Sequence, residues 1–112
     1  MRVAVVGSRF EGQRLHGRIL RELPAEVTEI ISGGAAGVDT AAAEVAAQSG
    51  IPLRVIRPEY ELYGRAAPLV RNRDIADRAD LVLCFWDGQS AGTANVIAYC
   101  IQVGKPFRIV RI

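Results

Sequence analysis

Ser32-Gly33-Gly34-Ala35-Ala36-Gly37-Val38-Asp39 is the stretch on which the fold turns. It follows the run Val27 to Ile31 and opens into the alanine-rich segment Thr40 to Ala47, so it reads as strand, glycine turn and helix start. Glycines at 33, 34 and 37 let backbone N–H groups converge at a helix N-terminus, where the macrodipole favours a phosphate or carboxylate. The plainer reading is a tight turn whose glycines only relieve crowding. Taken alone, the stretch leaves both open, and its surroundings must choose.

Working outward, Arg2 to Val6 is a nearly continuous apolar strand that ends in a second glycine turn, Gly7-Ser8-Arg9. Phe10, Leu15, Ile19, Leu20 and Leu23 then recur at helical spacing until Pro24 stops the pattern. His16 lies in this helix as a surface or boundary residue. Downstream, the helix from about Gly37 to Ser49 is ended by Gly50, and Asp39 in its first turn suits capping and the dipole. A carboxylate there is also placed to accept hydrogen bonds from ribose hydroxyls. Leu53 to Arg57 is a third, more polar strand, and Pro58 to Arg65 a long loop carrying Tyr60 and Tyr63, of the kind that closes over a ligand.

Ala66 to Arg78 reads as a helix interrupted by Arg71-Asn72-Arg73-Asp74. Four polar residues in succession cover all sides of a helix, so Arg71 or Asn72 is expected to point inward. Asp80 to Trp86 is the fourth strand, and Asp87-Gly88-Gln89-Ser90-Ala91-Gly92-Thr93 a third glycine turn. A helix from about Thr93 to Val103, ended by Gly104, and a last strand, Phe107 to Ile112, complete the chain.

Alternation of strands and helices predicts an α/β fold, a Rossmann-like three-layer α/β/α arrangement on a five-stranded parallel sheet. The first and fourth strands are the most apolar and belong in the centre, while arginines mark the third and fifth as edges, giving the order 3-2-1-4-5. That order puts a topological switch between the first and fourth strands, where ligands bind outside the carboxyl ends. The three glycine turns converge there.

With 112 residues, half of them hydrophobic, the chain is expected to form one domain, residues 1–112, and not to be disordered. The net charge of +2 is small and the basic residues are dispersed, which argues against duplex DNA. Lys105 is the only lysine, and the arginines suit bidentate phosphate contacts. Cys84 and Cys100 lack metal-ligand spacing and are expected to be reduced, buried and inert, as in a cytoplasmic protein. No metal is expected, no signal peptide is read before the first strand, and no apolar run approaches a membrane-spanning length.

Val6-Gly7-Ser8-Arg9-Phe10, then Ser32 to Asp39, then Tyr63-Gly64-Arg65-Ala66-Ala67-Pro68 with Arg71-Asn72, then Gly92-Thr93, together resemble the SLOG superfamily. That group joins the bacterial DNA-processing (Smf/DprA) proteins and the LOG phosphoribohydrolases on one Rossmann-like fold, and the likeness is greatest to its small stand-alone members. The resemblance implies a nucleotide or nucleotide-derived ligand held by the glycine turns, and a homodimer. LOG enzymes carry a catalytic glutamate three residues after the threonine, where this chain has Val96, and a proline and two glycines where it has Gly88-Gln89-Ser90. The arginine that works with that glutamate matches Arg71.

The leading expectation is therefore binding or sensing of a phosphorylated, nucleotide-like ligand, with no other cofactor. Gly7, Ser8, Arg9, Ser32, Gly33, Gly34, Ala35, Gly37, Asp39, Arg71, Asn72, Gly88, Ser90, Gly92 and Thr93 would form the site, and Tyr60, Tyr63 or Trp86 would stack on a base. The alternative is hydrolysis of a nucleoside monophosphate, in which Asp39, Asp87 or Glu44 replaces the missing glutamate beside Arg71. A further alternative is binding of single-stranded nucleic acid.

Overall fold

A computed structural model describes residues 1–8 and 15–112. Its strands are β1 (Arg2–Gly7), β2 (Glu29–Ser32), β3 (Leu53–Val55), β4 (Leu81–Trp86) and β5 (Phe107–Arg111). The helices are α1 (Leu15–Glu22), α2 (Val38–Ser49), α3 (Tyr60–Tyr63), α4 (Ala67–Arg78) and α5 (Ala91–Val103). All strand pairs are parallel, in the order β3-β2-β1-β4-β5. The fold is the expected Rossmann-like α/β one, with its edges where the arginines lie.

Alternation of side chains along each strand divides the core in two. Val3 and Val5 of β1, Ile30 of β2 and Leu83 and Phe85 of β4 pack against α1 and α2 through Leu15, Ile19, Val38, Ala42 and Val45. Ala4, Val6, Ile31, Val82 and Cys84 face the other way, onto Ile75 and Ala76 of α4 and Val96, Ile97 and Cys100 of α5. β1 and β4 are buried on both faces, which is why their sequences are apolar throughout.

Three local readings change. β3 ends at Val55 instead of Arg57; the Ile56 amide still donates to the Ser32 carbonyl (2.9 Å), but the Ile56 carbonyl turns towards Arg71 (3.4 Å). Pro58, which has no N–H to donate, follows soon after. The expected loop from Pro58 holds a short helix, α3, because the amides of Leu62 and Tyr63 both find the Glu59 carbonyl, and a 3₁₀ turn at Gly64–Ala66 follows. α5 begins at Ala91, two residues early, since Asp87 accepts from the amides of Gln89 (2.9 Å) and Ser90 (2.8 Å) and so starts the turn sooner. The expected Arg9 turn and the first part of the Phe10 helix lie outside the described residues.

At the carboxyl ends of β1 and β4, Gly7 is in register with Phe85 and the Ser8 amide donates to the Phe85 carbonyl (3.0 Å). A Cβ on Gly7 would come within 2.5 Å of that carbonyl oxygen and 2.8 Å of Val38 Cγ2. Neither can yield without moving a strand or α2. Gly7→Ala is accordingly expected to cost about 1–3 kcal/mol in urea unfolding, the usual penalty of overpacking. An unchanged midpoint would show that the strands separate there freely.

Candidate functional site

A crevice of about 290 Å³ opens at the carboxyl ends of the central strands, between the last turn of β1, the glycine turn after β2 and the N-terminal halves of α4 and α5. This is the topological switch between β1 and β4. Gly7, Gly33, Ala35, Asp39, Arg71, Asn72, Ser90, Gly92 and Thr93, all expected at the site, line it. Val6, Pro68, Ile75 and Val96 supply apolar walls. These four looked like ordinary core or helix-start residues, although Val6 and Pro68 fall inside the quoted motifs and Val96 stands where LOG enzymes carry their glutamate.

The glycine turn after β2 is already occupied. Asp39 is 9 % exposed and reaches back from the first turn of α2, where its Oδ2 accepts from the Ala35 amide (3.0 Å). Gly37 precedes the helix at φ 80° and no side chain caps it, so Asp39 does not cap α2. It fills the concavity that the sequence suggested for an external anion. Burial raises the Asp39 pKa above the ordinary carboxylate value, opposed first by the Ala35 amide, then by the Arg71 charge and the Gly33 amide.

Arg71 points inward from α4, as the run of polar residues required. Its Nη1 donates to the Gly33 carbonyl (2.9 Å) and to that of Ile56 (3.4 Å), and its Nε to Asn72 Oδ1 (2.9 Å). A Cβ on Gly33 would lie 2.5 Å from Nη1, so a side chain there would displace the guanidinium from this carbonyl. Nη2 has no partner among the described residues. Arg71 thus braces the ends of β2 and β3 as well as facing the crevice, and its removal is expected to affect stability as well as binding.

Across the crevice, Trp86 Nε1 donates to the Ser90 carbonyl (3.1 Å), and Asp87 holds the Gln89 and Ser90 amides. Those bonds fix the start of α5. Ala94 then closes the first helical bond to the Ser90 carbonyl (3.1 Å), and the amides of Gly92 and Thr93 have no acceptor among the described residues. Two uncommitted donors at a helix N-terminus make this part of the crevice favourable to an anion. Asp39 lines the same crevice beside the Arg71 guanidinium, whose charge favours its ionised form.

Several expected site residues lie elsewhere. Tyr60 and Tyr63 are 59 % and 45 % exposed on α3 and do not line the crevice; Trp86 is half-buried and committed to Ser90. None is placed to stack on a ligand in the crevice. Asp87 is a turn-forming acceptor whose pKa is lowered by the Ser90 and Gln89 amides, and Glu44 bonds to His16 of α1; both lie outside the lining. Ser8 is buried, with its Oγ accepting from the Asp87 amide (3.2 Å), so it ties β1 to the turn after β4. Gly34 packs under Arg57 and Gly88, at φ 83°, under Arg111, both away from the crevice. Ser32 is 1 % exposed and its Oγ has no partner among the described residues; it sits outside the lining too. Arg9 lies outside the described residues.

Cys84 and Cys100 are both buried, and burial with Cys100 nearby pushes the Cys84 thiol up to about 12, so neither offers a thiolate near neutral pH. Among the described residues, no His, Cys, Asp or Glu cluster is arranged to hold a metal, and no helix is long and apolar enough to cross a membrane.

With this geometry in hand, the comparisons with known proteins are informative. The sequence profile described as "DNA recombination-mediator protein A" matches residues 1–59, more than half of the chain. The chain belongs to that family. The match covers β1, the glycine turn and α2, and it agrees with the SLOG resemblance. Among solved structures, the chain is similar to the X-ray structure of DNA processing protein A (DprA) from Streptococcus pneumoniae, with a TM-score of 0.77 at 23 % identity. The match covers 96 % of this chain and 49 % of that one, so the chain spans about half the length of that relative. At this identity the likeness establishes the fold. No curated protein matches the chain. The family description concerns DNA, and it lends no support to the expectation, drawn from charge, that duplex DNA is an unlikely partner.

The raised Asp39 pKa has a definite sign. Folding favours the neutral form relative to the unfolded chain, so this carboxyl's contribution to stability is complete below its ordinary value and is lost as pH rises through its raised one. Asp39→Asn keeps an oxygen for the Ala35 amide while removing the charge. Its urea midpoint is expected to exceed that of the wild type at neutral pH, with the gap closing as pH falls towards about 4. A lower midpoint for Asp39→Asn at neutral pH would show that the charge itself holds the turn.

Proposed function

We propose that the crevice binds a phosphorylated, nucleotide-like ligand, with its phosphate at the N-terminus of α5 and its sugar towards Asp39. The observation that carries this reading is the pair of uncommitted amides at Gly92 and Thr93 on a crevice that Arg71 also lines. Helix dipole and amides favour an anion at that end, and the Arg71 guanidinium adds positive charge to the same crevice. The buried Asp39 carboxyl disfavours a phosphate beside it and suits hydroxyl groups instead. A sugar phosphate carries both kinds of group in one molecule. The family description, with its reference to DNA, supports a ligand of nucleic-acid chemistry, and a homodimer belongs to the same proposal.

Hydrolysis is the second reading, and it rests on one observation: Arg71 and a buried carboxyl of raised pKa line the same crevice. A raised pKa suits a general acid. Against it, Asp39 Oδ2 is committed to the Ala35 amide, and Val96, where LOG enzymes carry their glutamate, presents only methyl groups to the crevice. Loss of such a group lowers acid–base catalysis by about 10²–10⁴-fold. The protein is expected to release no more than traces of free base from AMP, GMP, CMP or UMP while binding at least one of them. Robust turnover abolished by Asp39→Asn would reverse the order of the two readings.

Gly92→Asp separates binding from folding. A Cβ at Gly92 meets nothing within 4 Å among the described residues, and an acidic residue in the first turn suits the helix dipole, so α5 is expected to keep its stability. The new carboxylate would repel a phosphate at the Gly92 and Thr93 amides. Calorimetric titration with the nucleotide that binds is expected to show at least about a tenfold loss, in line with ~1.5–3 kcal/mol for a charge-assisted contact. Undiminished affinity would place the phosphate elsewhere.

A further inference from the structure

A second depression, of about 140 Å³, lies between α4 and α5, and it shares Asn72 and Val96 with the crevice. The two are therefore adjoining compartments with a common wall. Their linings differ in chemistry. The crevice holds the carboxylate and the helix N-terminus, whereas the annex has an apolar floor that includes Leu69, Val96 and Tyr99, and amides at Asn72, Asn95 and Gln102.

Its one charged residue, Arg73, lies over the Tyr99 ring at 5.4 Å, and the Tyr99 hydroxyl donates to Asp77 Oδ1 (2.6 Å). Those contacts fix one wall. Asn72 is oriented by Arg71, which can only donate: Asn72 Oδ1 accepts from Arg71 Nε, leaving the Asn72 NH₂ free to donate. Asn95 and Gln102 have no hydrogen-bond partner among the described residues. Each offers one donor and one acceptor side by side, the pattern that pairs with the edge of a nucleobase.

We infer that the annex between α4 and α5 seats the heterocyclic base of the ligand whose phosphate occupies the crevice. The inference rests on the proposed nucleotide reading and extends it. An apolar floor with neutral amides suits a flat, uncharged ring with polar edges, and no carboxylate or lysine lines the annex to call for a charged group. The volume suits one base. It also explains how a nucleotide could be recognised although Tyr60, Tyr63 and Trp86 stay out of the crevice.

The test compares ribose 5-phosphate with AMP, GMP, CMP and UMP by calorimetry. The wild type is expected to bind at least one nucleotide about tenfold or more tightly than ribose 5-phosphate. Asn95→Ala with Gln102→Ala, both exposed helix positions, is expected to reduce that nucleotide to the level of ribose 5-phosphate while leaving the sugar phosphate itself unchanged. Ala98→Trp, which fills the annex from an exposed position, is expected to give the same pattern. Nucleotides that bind no better than ribose 5-phosphate, or a preference that survives Ala98→Trp, would overturn the base seat and leave the phosphate site standing. Absence of binding by every phosphate compound would overturn both.

Discussion

The hydrogen bond from Arg71 Nη1 to the Gly33 carbonyl is the constraint on which the site depends. It joins α4, on one face of the sheet, to the turn after β2, and the same turn is held by Asp39 from α2 on the other face. One backbone turn is thus gripped from both helical layers by side chains of opposite charge. Each grip explains a residue. Gly33 has no space for a Cβ beneath the guanidinium, and the buried Asp39 carboxyl, costly to ionise away from water, has the Ala35 amide and the Arg71 charge in its favour.

That grip also redistributes function among the glycine turns. From sequence they looked equivalent, three strand-to-helix turns each able to cradle an anion. In the structure the turn after β2 is filled by the protein's own carboxylate, and the turn after β1 brings Gly7 against Phe85. The start of α5 keeps the Gly92 and Thr93 amides without acceptors among the described residues, and no carboxylate there is bonded to them. An anion-binding turn is recognised by what its amides already bond, and a glycine count carries no such information.

The architecture was legible because it follows from hydrophobic pattern. Val3 to Val6 and Val82 to Phe85 are apolar at every position since both their faces are covered, and the arginines of β3 and β5 mark edges. Arg71 was legible for a related reason: four consecutive polar residues on a helix cannot all face solvent. Other site residues were not legible, because their roles are set by partners distant in sequence or by a choice between equivalent donors. Asp39 reads as an ordinary first-turn carboxylate until its bond to Ala35 is seen, and Trp86 as a free aromatic until Ser90 takes its N–H. Tyr60 and Tyr63 followed from a loop expected to fold over the site, whereas Glu59 nucleates a short helix that leaves them exposed. The annex escaped notice because Asn95 and Gln102 look like solvent-facing helix residues, and only the packing of α4 beside α5 brings them together with Asn72.

The most direct measurement is a crystal structure of the protein soaked with a nucleoside 5′-monophosphate that binds in solution. The phosphate is expected within hydrogen-bonding distance of the Gly92 and Thr93 amides, with Asp39 still bonded to the Ala35 amide. A phosphate seated among the amides of Gly33 to Gly37, with the Asp39 carboxylate displaced, would contradict it.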